Sequence, residues 1–134
     1  KGLCVIDLDT VMPGYVHYDF GDSIRTSTNT GAEDDPDLSK VEMDIRLFEA
    51  YTRGFLQETG STLTPTELEY LPLAGKLFPY LIGVRFLTDY VDGDNYFKIK
   101  HEHHNLQRAR AQFKLLQSME GQFQAMVEIV KRES

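Results

Sequence analysis

The pattern of apolar and polar positions predicts one short strand followed by helices. Residues 5–9 read "VIDLD", an apolar run that ends in two carboxylates. Alternate residues of a strand point to opposite faces, so Asp7 and Asp9 are expected on one face and Ile6 and Leu8 on the other. Two like charges on one face repel each other unless a cation lies between them. The end of this strand is therefore a candidate metal site.

The predicted loop after the strand covers residues 10–37 and is rich in Gly, Pro, Asp, Ser and Thr. One helical turn is expected within it, near residues 19–26. The helical period then begins, and the capping-box sequence of Ser39 and Glu42 predicts that the first long helix starts at Ser39. Gly60 predicts the end of this helix.

A second capping box predicts the next helix, with Thr64 as the cap, Pro65 at the first helical position and Glu67 closing the box. The sequence from there to about residue 90 is apolar on most sides, which predicts a buried helix. Pro72 and Pro79 predict a kink or a break into two helices.

Close helix packing is the expected reason for two glycines in this segment, Gly75 and Gly83, because glycine lowers helix propensity. A turn is predicted at residues 92–95, and one long amphipathic helix from about residue 103 to 131. The predicted fold is mainly α with a short N-terminal β element, divided into residues 1–38 (strand and ordered loop) and 39–134 (helical subdomain).

Composition narrows the possible partners. The 134 residues carry a net charge of -7, with 14 Lys and Arg residues spread along the chain, so nucleic acid is not an expected partner. No apolar stretch approaches the roughly 20 residues of a membrane span. The single cysteine, Cys4, excludes an internal disulfide framework, fits a reducing cytoplasm and is expected to be a small core residue.

Three interpretations of Asp7 and Asp9 compete. In the simplest, Asp7 caps a turn and Asp9 is solvated. In the second, "VIDLDTV" is the first motif of a haloacid-dehalogenase-like phosphatase, with Asp7 as nucleophile, Asp9 as acid and base, and Mg²⁺ between them. That family builds a parallel sheet, and no second buried apolar strand is predicted after residue 9.

The third interpretation rests on a resemblance. The stretch "VIDLDTVMPGYVHYDFGDSIRT" resembles the segment after the catalytic loop in the aminoglycoside phosphotransferase and choline kinase family of small-molecule kinases. There an apolar strand ends in I-D-x-D or I-D-x-E, and an aspartate follows in a D-F-G-D type turn. With "RFLTDYVDGDNYFK" at residues 85–98, the chain is most similar to family members that phosphorylate N-acetylhexosamines at the anomeric hydroxyl. The resemblance covers essentially the whole chain.

The resemblance implies the helical C-terminal lobe of a protein-kinase-like fold, with ATP as co-substrate. It makes Asp7 the Mg²⁺ ligand and Asp9 a second or water-mediated ligand. "DFG" also occurs at residues 19–21, but the family's metal aspartate belongs to the earlier strand, so Asp19 is given a supporting role. Asp22 is expected to pair with Arg25.

Arg85 is the best candidate for binding the sugar, because it is a lone positive charge in the apolar stretch "YLIGVRFLTDY", where a buried guanidinium needs acceptors. An ion pair with Asp89, four residues later, is the structural alternative. Tyr90 and Tyr96 are weaker candidates.

Two clusters of charged or metal-ligating residues are discounted as sites. "HEHH" at residues 101–104 offers possible zinc ligands, but adjacent residues diverge, so these are expected to be surface histidines. "EDDPD" at residues 33–37 lacks the spacing of a calcium loop and is expected to be a solvated acidic run before a helix.

The catalytic base is expected outside this chain, since the sequence contains no H-x-D-x-x-x-x-N or H-G-D loop, glycine-rich loop or strand lysine. The chain also opens with Lys1 and runs directly into the apolar stretch. We therefore expect a C-terminal piece of a longer cytoplasmic enzyme, inactive alone, that packs against the remaining N-terminal part. The phosphatase and a catalytically silent helical binding domain stay open as alternatives, as does the identity of the sugar.

Overall fold

The computed structural model describes residues 2–134, so Lys1 lies outside the described part. The prediction of a mainly helical chain is confirmed. Two short 3₁₀ turns, Leu38–Lys40 and Gly60–Thr62, accompany the α-helices. The helices are α1 (Val16–Ser27), α2 (Ile45–Thr59), α3 (Pro65–Val91), α4 (His104–Gly121) and α5 (Phe123–Glu133). None of those described is long and apolar enough to cross a membrane.

The predicted N-terminal strand is not formed in the described residues. A strand needs a neighbouring backbone to pair its N–H and C=O groups, and the pairing found within residues 2–134 is one isolated bridge between Asn29 and Met43. The apolar side chains of the segment face solvent, with Leu3 94% and Ile6 77% exposed. Cys4 is exposed as well, so its predicted place in the core is wrong.

Helix α1 is longer than the single turn expected near residues 19–26, because two of its residues anchor it in the core. Phe20 and Ile24 are fully buried. The Phe20 ring packs edge-on against Phe48 and Phe55 of α2, with ring centroids 6.2 and 5.1 Å away. These contacts fix α1 against the helical bundle.

The predicted helix start at Ser39 is wrong. The Asp37 carboxylate accepts the N–H and O–H of Ser39 at 3.1 and 2.6 Å, which closes a single 3₁₀ turn instead of a helix. The Glu42 N–H is bound by the Thr30 hydroxyl, 3.1 Å away. Helix α2 starts after Asp44, which caps it, and the predicted end at Gly60 is confirmed.

The capping box of α3 is confirmed: the Thr64 hydroxyl accepts the Glu67 N–H at 3.3 Å, and the Glu67 carboxylate accepts the Thr64 N–H at 2.7 Å. The helix continues through both internal prolines, so the break into two helices is not present. Close packing at its glycines is also confirmed. A Cβ on Gly83 would lie 2.8 Å from the Phe113 ring of α4, and one on Gly75 would lie 3.1 Å from Met126 of α5.

Burial of α3 on all sides is wrong, because one face of the helix is exposed. The large apolar residues of this face, each at least 37% exposed, are Tyr70, Leu73, Leu77, Tyr80, Leu81, Val84, Leu87 and Val91. We call them the α3 apolar face.

The long final helix divides into α4 and α5 at Gln122, whose φ of -110° leaves the helical region. Its side-chain amide donates to the Met43 carbonyl at 2.9 Å and to the Ser118 hydroxyl at 3.2 Å. The break lets α5 pack back onto α2 and α3, and Met126 of α5 is fully buried there.

His104 is fully buried, so the expectation of surface histidines is wrong for this residue. Its Nδ1 accepts the Lys100 N–H at 3.2 Å, and its Nε2 lies 2.8 Å from the Asp34 carboxylate. An Nδ1 that accepts requires the proton on Nε2, which then donates to Asp34. Asp34 is therefore more than part of a solvated acidic run, because it fastens the loop before α2 to the start of α4.

We expect the His104 contact to make stability depend on pH in the acid range. The hydrogen bond from His104 lowers the pKa of Asp34 from 3.8 to about 2. Because the folded-state pKa is depressed, this stabilisation is present above pH about 4 and is lost as pH falls towards 2. Urea denaturation of an Asp34→Asn variant should therefore give lower stability at neutral pH and a flatter curve between pH 4 and 2.

The matched control is Asp35→Asn, since Asp35 accepts the Asp37 N–H within the same exposed loop. It should keep the acid dependence of the wild type. If stability depends on pH identically in the Asp34 variant and the wild type, the contact between His104 and Asp34 does not contribute to acid stability.

Candidate functional site

The two predicted metal aspartates, Asp7 and Asp9, are exposed within the N-terminal segment. Asp7 has a φ of +64°, a left-handed backbone conformation that is uncommon for residues other than glycine. Within residues 2–134 no group of three or more His, Cys, Asp or Glu side chains comes together to hold a metal ion. The chemistry of the two carboxylates still fits Mg²⁺, which proteins bind through one or two carboxylates together with water and substrate phosphates.

Asp19 and Asp22, the two aspartates predicted to give structural support, both lie on α1. The ion pair of Asp22 with Arg25 is confirmed at 2.9 Å. Arg25 also binds the Glu33 carboxylate at 2.8 Å, so it ties α1 to the following loop. Asp19 is exposed in the first turn of α1, and its supporting role remains a prediction.

The alternative ion pair between Arg85 and Asp89 is wrong, because backbone groups occupy the carboxylate. The Asp89 oxygens accept the N–H groups of Tyr96 and Phe97 at 2.8 and 2.9 Å. Asp89 also accepts a hydrogen bond from the Asn105 amide at 2.8 Å. Both oxygens of Asp89 are used by these donors, and the Arg85 guanidinium lies instead beside the rings of Tyr96 and Phe97.

Asp89 is 6% exposed and is used as a charged group. Burial by itself would raise its pKa, but the hydrogen bonds from the Phe97, Tyr96 and Asn95 backbone and from the Asn105 amide together hold the pKa below its ordinary value. The ionised carboxylate thus holds the loop that follows α3. The predicted turn at residues 92–95 is confirmed here, with left-handed backbone at Gly93 and Asp94.

Arg85 is exposed, contrary to the expectation of a buried guanidinium. Two aromatic rings lie beside it, with its Cζ atom 5.7 Å from the Tyr96 ring centre and 5.4 Å from the Phe97 ring centre. These distances are within the range of cation–π attraction. A guanidinium held by rings keeps its N–H groups available for acceptors on a ligand.

Arg85, Tyr96 and Phe97 line a cleft of about 380 Å³ together with polar residues of the end of α3. A cation, aromatic surface, a hydroxyl and a carboxylate meet there. The other lining residues are Val84, Thr88, Asp89 and Asp92. We call this the Arg85 cleft. Its composition suits a small polar ligand with one apolar face.

Tyr90 lies outside the Arg85 cleft. Its hydroxyl is 3.0 Å from Nδ1 of His103, and the residue lines a different cleft with Leu38 and Arg110. Tyr96, the weaker candidate from sequence, is the tyrosine placed beside Arg85. Phe97 and Asn105 were not among the sequence candidates, because their roles depend on which atoms the loop brings to Asp89.

An apolar cleft of about 610 Å³ lies between the start of α3 and α5. Its walls are mostly hydrocarbon, with Glu69 and Lys131 as the charged lining residues. Polar groups that converge on a ligand mark a functional site better than volume does, so the Arg85 cleft is the stronger candidate.

No family model matches the sequence.

Proposed function

We propose that this chain is the helical C-terminal part of an ATP-dependent small-molecule kinase of the aminoglycoside phosphotransferase and choline kinase type. We further propose that the complete enzyme works in the cytoplasm and phosphorylates an N-acetylhexosamine at its anomeric hydroxyl. The observation that carries the proposal is the "VIDLD" segment, which precedes the helices α1–α5. Its apolar side chains are exposed to solvent, and so are its two carboxylates. Its sequence resembles the metal-binding strand of this kinase family.

Asp7 would hold Mg²⁺, with Asp9 as a second or water-mediated ligand. A bound Mg²⁺ would supply positive charge to stabilise the transferred phosphoryl group. The carboxylates contribute oxygen ligands, which Mg²⁺ prefers. The base that accepts the proton of the sugar hydroxyl is assigned to a motif outside these 134 residues.

The Arg85 cleft is assigned to the sugar. The Arg85 guanidinium can donate to hydroxyl or acetamido oxygens, while the Tyr96 ring offers a flat surface for the apolar face of a pyranose. The Thr88 hydroxyl can donate or accept at the remaining sugar hydroxyls, and the Asp92 carboxylate can accept from them. Such paired polar contacts allow a site to reject analogues that lack one group.

Two exposed apolar surfaces support an enzyme with further parts. The first is the α3 apolar face. The second consists of the large apolar side chains of the N-terminal segment, which are exposed to solvent: Leu3, Val5, Ile6, Leu8, Val11 and Met12. Contiguous apolar surface of this kind marks a place where another protein surface packs. We assign it to contacts with the remaining part of the same kinase.

The phosphatase is less well supported. It requires a parallel sheet built from repeated strand-helix units, whereas residues 2–134 form helices, turns and loops. The local D-x-D-x-T/V pattern is common to both hypotheses, so the surrounding helices favour the kinase.

An ADP-release assay on the complete product of the gene tests the proposal. ATP and Mg²⁺ are supplied with N-acetylglucosamine, N-acetylgalactosamine, glucose, choline or an aminoglycoside. Release that requires one of the N-acetylhexosamines supports the proposal. ADP release only with choline or an aminoglycoside would support a kinase but reject the proposed sugar substrate. If none of the five compounds stimulates ADP release, the proposed function is rejected.

We expect an Arg85→Ala variant of the complete enzyme to raise the KM for the sugar by roughly tenfold or more, because the guanidinium is assigned to sugar oxygens. The KM for ATP should change little. Steady-state kinetics with each substrate varied in turn measure both values. The control is Arg46→Ala, which removes an exposed arginine that is already paired with Asp44 at 2.8 Å. Equal effects of Arg85→Ala on both substrates would indicate a structural role instead.

A further inference from the structure

We propose that the buried pair of Asp89 and Asn105 is a positioning device for the Arg85 cleft. It fixes the loop after α3 so that the rings of Tyr96 and Phe97 hold the Arg85 guanidinium in place. The inference rests on the proposed function, because it takes the Arg85 cleft as the sugar site. Neither Asp89 nor Asn105 is assigned a contact with the reacting atoms, so both are positioning residues.

The first part of the device is the Asp89 carboxylate, which uses both oxygens on the loop backbone. Oδ1 accepts the N–H of Tyr96, and Oδ2 accepts the N–H of Phe97. Hydrogen bonds to an ionised carboxylate are among the strongest that proteins form, and this carboxylate is withdrawn from water. The backbone of the two ring-bearing residues is therefore tied to α3.

The second part is Asn105, which is fully buried in the first turn of α4. Its Nδ2 group donates to Asp89 and to Asp94, each at 2.8 Å. Its Oδ1 accepts from the Arg108 guanidinium at 3.1 Å. One neutral amide thus joins the end of α3, the loop and the start of α4. An aspartate could not replace it, since a carboxylate has no N–H to donate to the two acids.

The hydrogen bonds to Asp89 fix the backbone of Tyr96 and Phe97 and so determine where their rings lie. Phe97 packs on Phe86 of α3 with ring centres 4.7 Å apart, and Tyr96 meets Phe97 at 4.8 Å. Arg85 lies beside both rings. A loop released from Asp89 would move the rings and leave the guanidinium without a fixed orientation. The predicted metal ligands belong to a different segment, so the effect should fall on the sugar and spare ATP.

The test compares Asn105→Leu with Gln112→Leu in the complete protein. Leucine has the same number and branching of side-chain heavy atoms as asparagine and one heavy atom fewer than glutamine, and it cannot form the hydrogen bonds of either amide. Gln112 is an equally buried amide on the same helix, and its Oε1 has no hydrogen-bond partner within the described residues. Hydrogen exchange followed by mass spectrometry reports on the Tyr96 and Phe97 amides. We expect exchange roughly tenfold faster in Asn105→Leu and unchanged in Gln112→Leu.

Kinetics of the same variants separate positioning from general stability. Asn105→Leu should raise the KM for N-acetylglucosamine by roughly tenfold with little change in the KM for ATP. If Asn105→Leu does not fold, Asp94→Gly replaces it, because it deletes the half-buried Asp94 acceptor of the Asn105 amide and glycine accepts the left-handed backbone there. The same changes are expected at a smaller size.

Unchanged exchange at residues 96–97, or faster exchange with an unchanged KM for the sugar, would overturn the positioning role. Equal increases in both KM values would do the same. If the wild-type protein transfers phosphate to a sugar and these variants behave as wild type, the inference fails and the proposed function stands. If the wild type transfers phosphate to none of the sugars, the proposed function fails, and the inference fails with it.

Discussion

Under the proposed kinase function, an Asp7→Asn variant of the full-length protein is expected to lose turnover by roughly 10²–10³-fold or more, with the helical content unchanged. Asparagine keeps the size of the side chain but removes the negative charge with which Asp7 would bind Mg²⁺. The side chain is exposed and outside the helical core, so the fold should not depend on it. The measurement is kcat at saturating ATP and sugar, with circular dichroism as the check on folding.

Asp19→Asn is the matched control, because Asp19 opens the D-F-G sequence at residues 19–21 and is also exposed. It should reduce turnover far less than Asp7→Asn. The reverse order would move the metal site to α1, and near wild-type turnover of Asp7→Asn would remove Asp7 from the mechanism.

The second large effect concerns the contact of α1 with α3. A Gly21→Ala variant is expected to be destabilised by about 1–3 kcal/mol relative to a Gly54→Ala variant. A Cβ on Gly21 would lie 2.6 Å from the Ala74 carbonyl oxygen and would also meet the Phe78 ring. The carbonyl belongs to the backbone of α3, so relief requires the two helices to move apart.

Gly54 supplies the control, because nothing lies within 4 Å of a Cβ placed there. Both glycines are inside α-helices and gain the same intrinsic propensity, about 1 kcal/mol, on replacement by alanine. The difference between the two variants in urea denaturation therefore isolates the packing penalty. Equal stabilities would show that α1 and α3 are less closely packed than the structure has them.

Local signals in the sequence predicted the helix ends well. The capping box at Thr64 and the stop at Gly60 depend on residues a few positions apart, and both are confirmed. The predicted helix start at Ser39 was wrong because another capping residue, Asp37, lies two residues earlier and accepts the Ser39 N–H. The break at Gln122 was not predictable, since its amide is held by Met43, which is 79 positions away in the chain.

The candidate site was partly predictable for the same reason. Arg85 is conspicuous as a lone charge in an apolar stretch, and that signal identified a residue that lines a cleft. The i,i+4 rule then suggested Asp89 as its partner, but that rule takes no account of backbone donors from a later loop. Asn105 carries no signal in sequence, because an asparagine near a helix start is ordinary until two carboxylates are found beside it.

The apolar pattern of the N-terminal segment is not sufficient to establish a strand. The apolar side chains at Val5 and Ile6 fit a half-buried strand, but a strand also needs hydrogen-bonding partners, and residues 2–134 provide none for this segment. Under the proposed function those partners belong to the rest of the kinase.

The central claim is transfer of phosphate from ATP to an N-acetylhexosamine, and phosphorus NMR of the complete enzyme tests it most directly. ATP, Mg²⁺ and N-acetylglucosamine are supplied, and the run is repeated with N-acetylgalactosamine. We expect a new sugar 1-phosphate signal that grows together with the ADP signals. No transfer to either sugar, with free phosphate released from a supplied sugar phosphate, would contradict the account and make Asp7 the nucleophile of a phosphatase.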